Sequence, residues 1–255
     1  MFVIGSVITQ TIPVLDLQAF RSSNRSRFVA ELGEALETIG FFALVNHGVD
    51  ADLIRAAYAV AQAFFELPET VKRRYEVPML NGQRGFTRFG REHAKDHPVP
   101  DLKEFWQVGR SHPLASRYPA NPTPVEVPDF APVMTRLYTQ LDTCATELLE
   151  ACALYLGESE TLLSDMAADG DTILRIIHYP PIPADAQPDS VRSAPHEDIN
   201  LITLLCEASD DGLELRRHDG TWSPIHAVPG QIIVDSGDML QQLTNGLLKS
   251  TTHRV

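Results

Sequence analysis

In the stretch Ser193-Ala194-Pro195-His196-Glu197-Asp198-Ile199-Asn200 a histidine and a carboxylate stand two residues apart. Alternate residues of an extended segment point to the same face, so His196 and Asp198 reach one metal ion while Glu197 points away. A second histidine delivered from a distant strand completes a face of two imidazoles and one carboxylate. That donor set suits non-haem iron(II) and leaves coordination positions open for substrate and oxygen. His253, in Thr252-His253-Arg254, is the candidate for the missing ligand. A helical His-Glu-x-x-His zinc site is excluded, because its second histidine would fall where Asn200 stands.

The elements around these residues have to hold them in place. The branched run Ile199 to Leu205 directly follows the pair and reads as a buried strand. After Asp171 the chain is short strands and turn signals. Thr172 to Tyr179 is closed by Pro180-Pro181, Leu213 to Arg217 and Trp222 to Ile225 flank the hairpin signal Asp219-Gly220, and Pro229-Gly230 opens Gln231 to Asp235. This spacing predicts a double-stranded β-helix, or jelly roll. Upstream, Thr11 to Leu17 reads as an edge strand and Arg25 to Ile39 as a helix ended by Gly40. Phe41 to Val45 is a compact strand, Asn46-His47-Gly48 a turn, and Asp50 the N-cap of a helix that ends near Pro68, followed by a short basic helix from Glu69 to Tyr75. Pro132 to Leu156 carries an apolar stripe, is ended by Gly157, and is expected to back a sheet. The predicted class is α+β, dominated by a C-terminal jelly roll, backed by a long helix and preceded by a helical N-terminal region. The expected division is 1–115 for the N-terminal helical and mixed region, 116–170 for linker and backing helices, and 171–255 for the jelly-roll core.

The 255 residues carry a formal net charge of −13, which disfavours a sequence-independent grip on nucleic acid. Cys144, Cys152 and Cys206 are few and widely spaced, so no disulfide framework is expected and the first two read as core residues. The first residues lack a basic region followed by an apolar stretch, and no apolar run has membrane-spanning length. The expectation is a cytoplasmic protein with no membrane partner.

Between Pro78 and Pro128 the chain makes a long excursion with a strand-like island at Lys103 to Val108. Its basic cluster, Arg84, Arg88, Arg91, His93, Lys95 and His97, reads either as a solvated face or as the partner of an anionic substrate group. Phe86, Phe89, Phe105 and Trp106 read either as a satellite core or as a pocket lining. Arg88, Arg91 and Phe105 are the candidates for substrate contact. His47 is expected to be a structural hydrogen bonder, His178 to face away from Tyr179, and His218 and His226 to face solvent. Glu197 is assigned to a hydrogen bond or the pocket rim, Arg175 to structure, and Asp238 to a turn.

Nearly the whole chain resembles the isopenicillin-N-synthase-like branch of the iron(II)- and 2-oxoglutarate-dependent oxygenases. The similarity is carried by Ile12-Pro13-Val14-Leu15-Asp16, Gly40-Phe41-Phe42 through Asn46-His47-Gly48, Leu174-Arg175-Ile176-Ile177-His178-Tyr179-Pro180, His196-Glu197-Asp198, Pro229-Gly230 with Gly237-Asp238, and Ser250-Thr251-Thr252-His253-Arg254-Val255. The resemblance implies that His196, Asp198 and His253 bind iron(II), and that Tyr179 lines the pocket for a carboxylate of co-substrate or substrate. Plant members often carry asparagine two positions before that tyrosine; here the residue is Ile177. The family also places an Arg-x-Ser anchor for 2-oxoglutarate roughly ten residues past the second histidine, beyond Val255, so the chain is expected to be a fragment. The implied activity is oxidation of a C–H bond of a small molecule, with 2-oxoglutarate as co-substrate and molecular oxygen as oxidant. The alternatives are direct oxidase chemistry at the same iron site without 2-oxoglutarate, and a truncated non-catalytic jelly-roll protein.

Overall fold

A computed structural model describes residues 12–92, 99–110, 120–182, 184, 186, 190–206, 210–226 and 228–255. His93, Lys95, His97 and His112 of the long excursion lie outside the described residues. In chain order the elements are β1 (Val14–Asp16), α1 (Leu17–Phe20), α2 (Arg25–Thr38), β2 (Phe41–Val45), α3 (Ala51–Phe65), α4 (Glu69–Lys72), β3 (Gly85–Thr87), β4 (Glu104–Gly109), α5 (Phe130–Tyr155), α6 (Leu162–Ala168) and β5 (Ile173–His178). They continue as β6 (Ile202–Leu205), β7 (Glu214–Arg216), β8 (Trp222–Pro224), β9 (Ile232–Ser236), α7 (Asp238–Leu243) and β10 (His253–Arg254). Among the described residues no helix is long and apolar enough to cross a membrane.

The chain divides into two compact units, one made of 1–47 with 195–255 and the other of 48–194. This division cuts across the three sequential segments expected above. The first unit contains a sheet in the order β1-β2-β9-β6, antiparallel except for the β1–β2 pair, and a second antiparallel sheet in the order β10-β7-β8. Phe41, Ala43, Leu215, Ile225 and Ile233 form a buried cluster that draws residues from both sheets. The β7–β8 hairpin turns at Gly220, whose φ of 83° suits glycine. Helix α2 buries Phe28, Leu32, Ala35 and Leu36, the i, i+4, i+7, i+8 stripe that its sequence shows. Each large apolar side chain so buried stabilises the fold by about 1.5–3 kcal/mol.

Two turns in this unit bear directly on the histidine at its C-terminal end. Gly40 follows α2 with φ of 77°, and a Cβ there would collide with the Lys249 carbonyl and the Thr251 hydroxyl. Around it the segment 249–251 is fastened down: Lys249 N–H donates to Leu36 O (3.0 Å), Thr251 Oγ1 to Ile39 O (2.6 Å) and Ser236 Oγ to Lys249 O (2.7 Å). Further on, the strand expected over Ile199–Leu205 starts only at Ile202. The carbonyls of Asp198, Asn200 and Leu201 instead accept from the amides of Asp238, Met239 and Gly237, so this stretch wraps the start of α7 rather than joining the sheet ladder. Ile199 is consequently 78 % exposed.

In the second unit, β3, β4 and β5 form an antiparallel sheet. Asp50 caps α3 by accepting from Asp52 N–H, as its position before an apolar helix predicts. Helix α5 lies against the β3-β4-β5 sheet, with Phe130 on Trp106 and the Tyr138 hydroxyl donating to Thr172 O (3.1 Å), and packs along its length on α3 and α6. The buried face of α3, Leu53, Ile54, Ala57, Ala61 and Phe64, gives the α5 stripe a helical surface to pack on. Phe64, Trp106 and Phe130 meet as tilted and edge-on rings with centroids 4.8 to 5.6 Å apart. Nearby runs an ionic chain: Lys72 Nζ contacts both Glu104 oxygens (2.8 and 2.7 Å), and Glu104 Oε1 contacts His178 Nδ1 (2.8 Å).

Asp235 is the anomaly of the first unit. Its carboxyl sits on β9, 1 % exposed, and its Oδ1 has no hydrogen-bond partner among the described residues. Burial, and then the negative charge of Asp198, raise it well above the ordinary value of 3.8. A carboxyl raised in the fold binds its proton more tightly there. The stability it contributes is therefore complete below 3.8 and is lost as pH rises through the raised folded value. Asp235→Asn removes that loss: in metal-free protein its stability advantage over the wild type should be absent near about pH 4 and present near about pH 8, read by urea unfolding. Equal differences at both pH values would show that the Asp235 carboxyl is not raised in the fold.

Gly40→Ala should destabilise the protein by at least ~2 kcal/mol, from the positive φ and the collision with Lys249 and Thr251. Gly157→Ala is the control, with the same φ sign at 76° but open space around the new Cβ, and should cost about 1 kcal/mol. Equal losses in the two variants would show that close packing at Gly40 is not what fixes the turn.

Candidate metal centre

The two histidines are joined through their backbones. His196 N–H donates to His253 O (3.0 Å) and His253 N–H donates to His196 O (2.9 Å), an isolated antiparallel bridge. Residues paired in this way project their side chains to the same side, and the two imidazole centroids lie 4.4 Å apart. The bridge is held on one flank by β10 pairing with β7, where His253 stands opposite Leu215. On the other, Phe41 packs edge-on against His253 at 5.5 Å.

Asp198 joins them from the same segment as His196. Its Oδ1 lies 3.6 Å from His196 Nε2 and 3.8 Å from His253 Nε2, and one donor atom from each of the three residues falls within 4.8 Å of the other two. Donors about 2.1 Å from a common ion are about 3 to 3.5 Å apart, so small side-chain rotations bring this set to bonding distance. Glu197, pointing the other way, accepts from the Thr252 hydroxyl, so alternation along the extended segment separates the two acids as the sequence predicts.

The surroundings favour ligation. His253 is 6 % exposed, and burial first, then the neighbouring His196, lower its pKa below the ordinary 6.5, with Asp198 partly opposing them. At neutral pH it is therefore an uncharged imidazole, the form that binds metal. Its Nδ1 lies 3.2 Å from Thr251 O, which assigns the ring proton to Nδ1 and leaves the Nε2 lone pair directed at Asp198 and His196. Asp198 Oδ2 accepts from the Thr203 hydroxyl, leaving Oδ1 toward the imidazoles. Two nitrogens and one carboxylate oxygen on one face, with the ring tautomer and the spare oxygen already satisfied, fit a ferrous ion. Thr203 and Thr251 were not singled out from the sequence. The signal was present in Thr203, a lone polar residue inside the apolar run, but not in Thr251, whose partner depends on how the chain closes.

The remaining predicted residues belong to the second unit. Tyr179 has its phenol pushed up to about 12, chiefly by burial and then by Asp101, and its carbonyl accepts from Arg192 Nη1 (3.0 Å). Phe105 is 3 % exposed, with the Arg175 guanidinium 4.4 Å above its ring. Arg88 lies 3.9 Å from Glu76, and Arg91 is exposed with no ion pair among the described residues. Arg84 of the same basic cluster is buried and donates to Gln83 O. Arg175 is paired with Glu92 at 3.2 Å. His178 contacts Glu104 and stacks on Phe65, and in the first unit His226 is exposed beside Asp211.

Comparison with known proteins agrees with this geometry. Residues 12–133 match the N-terminal region described as that of a non-haem dioxygenase in morphine synthesis, and residues 170–255 match the 2OG-Fe(II) oxygenase superfamily. A 2-oxoglutarate-Fe(II) type oxidoreductase of Metarhizium rileyi is 30% identical over 91% of this chain and 70% of its own. Among solved structures, a 2OG-Fe(II) oxygenase family protein of Caulobacter crescentus is 40% identical with a TM-score of 0.84, covering 96% of this chain and 80% of its own. A Neurospora crassa protein solved in complex with alpha-KG and thymine is 26% identical with a TM-score of 0.85, covering 96% of this chain and 79% of its own. The two sheets around the histidine bridge are thus part of a jelly roll within an α+β fold, and the chain belongs to the iron(II)- and 2-oxoglutarate-dependent dioxygenase family.

Proposed function

We propose that His196, Asp198 and His253 hold the ferrous ion of this oxygenase, and that it oxidises a C–H bond of a small organic molecule. The observation that carries the assignment is the convergence of His196 Nε2, His253 Nε2 and Asp198 Oδ1, the two nitrogens lying 3.6 and 3.8 Å from the carboxylate oxygen. When bound, iron(II) with 2-oxoglutarate supplies the oxidising power: oxygen and the keto acid give succinate and carbon dioxide, with one oxygen atom passing to the substrate. The chain's own part is to present three donors on one face and leave the opposite positions free. His253 contributes a neutral ring held by Thr251, and Asp198 contributes one carboxylate oxygen.

Small-molecule substrates are supported by the thymine bound to the Neurospora crassa protein. The same reading assigns Tyr179 to co-substrate binding and Arg88, Arg91 and Phe105 to substrate contact. The exposed guanidinium of Arg91, with no ion pair among the described residues, supports an anionic group on the substrate. A reducing cytoplasm is in keeping with three cysteines that form no disulfide among the described residues, of which Cys144 and Cys152 are buried.

Protein loaded anaerobically with iron(II) and then given 2-oxoglutarate, air and a panel of small carboxylic acids and heterocycles should release succinate. His196→Ala, Asp198→Ala and His253→Ala should each weaken iron binding and succinate formation by more than about 100-fold. Unchanged iron affinity in any one variant removes that residue from the site, and substrate oxidation without succinate would identify direct oxidase chemistry instead. Iron affinity should also fall in acid as protons compete for the His253 ring, and because burial lowers that ring's pKa the fall should begin below the ordinary 6.5.

A further inference from the structure

The spare oxygen of Asp198 is held by a directed relay. Asn200 Nδ2 donates to Thr203 Oγ1 (2.8 Å), and Thr203 Oγ1 in turn donates to Asp198 Oδ2. A hydroxyl has one proton. With the Asn200 amide occupying one lone pair of the Thr203 oxygen, that proton is aimed at the carboxylate. Thr203 is itself fixed by the sheet, since it is the second residue of β6 and pairs with Asp235 of β9. Asn200 is fixed through its backbone, whose carbonyl accepts from Met239 N–H (3.2 Å) at the start of α7. Gly237 closes over the same turn, where any Cβ would run into the Asn200 and Asp198 carbonyls. The relay therefore spans the loop between His196 and β6 and ties the ligand carboxylate to a strand of the first unit.

A carboxylate can bind an ion through one oxygen or through both. If both Asp198 oxygens were available, the second would compete for a position that the reaction needs for oxygen or co-substrate. We propose that Thr203 is a positioning residue that keeps Asp198 a single-oxygen ligand, and that Asn200 acts by directing the Thr203 hydroxyl. This inference rests on the assignment of His196, Asp198 and His253 as the iron ligands, and goes beyond it by naming what sets the binding mode of the carboxylate. Groups that orient a metal ligand in this way are worth about 10–100-fold in affinity or activity.

The test uses the full chain, metal-free, titrated with Co(II) and followed by its visible ligand-field absorption. Thr203→Val keeps the shape and removes the hydroxyl; it should weaken Co(II) binding about 10-fold or more and shift the bands, as Oδ2 becomes free to bind. Thr203→Ser should restore both affinity and spectrum, a rescue that a purely structural role of the β-branched side chain would not give. Thr203→Val that keeps the wild-type melting temperature, affinity and spectrum would overturn the proposal. Should Thr203→Val fail to fold, Asn200→Ala decides at an exposed position, where a shifted spectrum supports the relay and an unchanged one overturns it. Wild-type protein that binds no Co(II) would sink the ligand assignment together with the relay, whereas equal binding by wild type and Thr203→Val would sink the relay alone.

Discussion

The reciprocal pair of backbone hydrogen bonds between His196 and His253 is the constraint on which the metal face depends. Neither imidazole is placed by its own side-chain contacts alone. Each is carried into position because a short antiparallel bridge forces both side chains to one side with ring centroids 4.4 Å apart. Asp198 then needs only the two-residue period of an extended chain to reach the same point. Thr203 and Thr251 add orientation to a meeting that the backbone has already arranged.

That bridge is in turn only as good as the segment that delivers His253. The stretch 249–251 contributes no strand of its own. It is held by hydrogen bonds to the C-terminal end of α2, to the residue after it, and to the end of β9. Gly40 permits this, since only a residue without a Cβ lets the Lys249 carbonyl and Thr251 hydroxyl approach so closely. A turn near the beginning of the chain thereby governs a candidate ligand near its end. This is a plain instance of a core position acting at a distance through packing.

The family chemistry makes particular demands on charge. An anionic donor on the three-residue face favours a dication, and Asp198 has a buried carboxyl, Asp235, as a neighbour on the same unit. Like charges so placed disfavour double ionisation, and Asp235 takes the proton because it is the more deeply buried of the two. With the proton on Asp235 and His253 neutral, the site attracts iron(II) without burying a second carboxylate charge.

Much of this was legible in the residues. The spacing of His196 and Asp198, the glycine after the α2 stripe, the Asp219-Gly220 hairpin and the Asp50 cap are short-range signals, set by the φ each residue tolerates, by hydrogen bonds within a few residues and by side-chain period, and the folded chain realises each of them. The sequence determined which chemical groups were available and which local conformations they imposed. It did not determine that β6 starts after a turn around α7, that α5 packs on α3 and α6, that Thr203 meets Asp198, or that Gly40 seats the segment leading to His253. Those depend on register and contact between segments far apart in the chain. Such contacts are chosen by the burial and hydrogen bonding of the whole unit, and no local pattern encodes them.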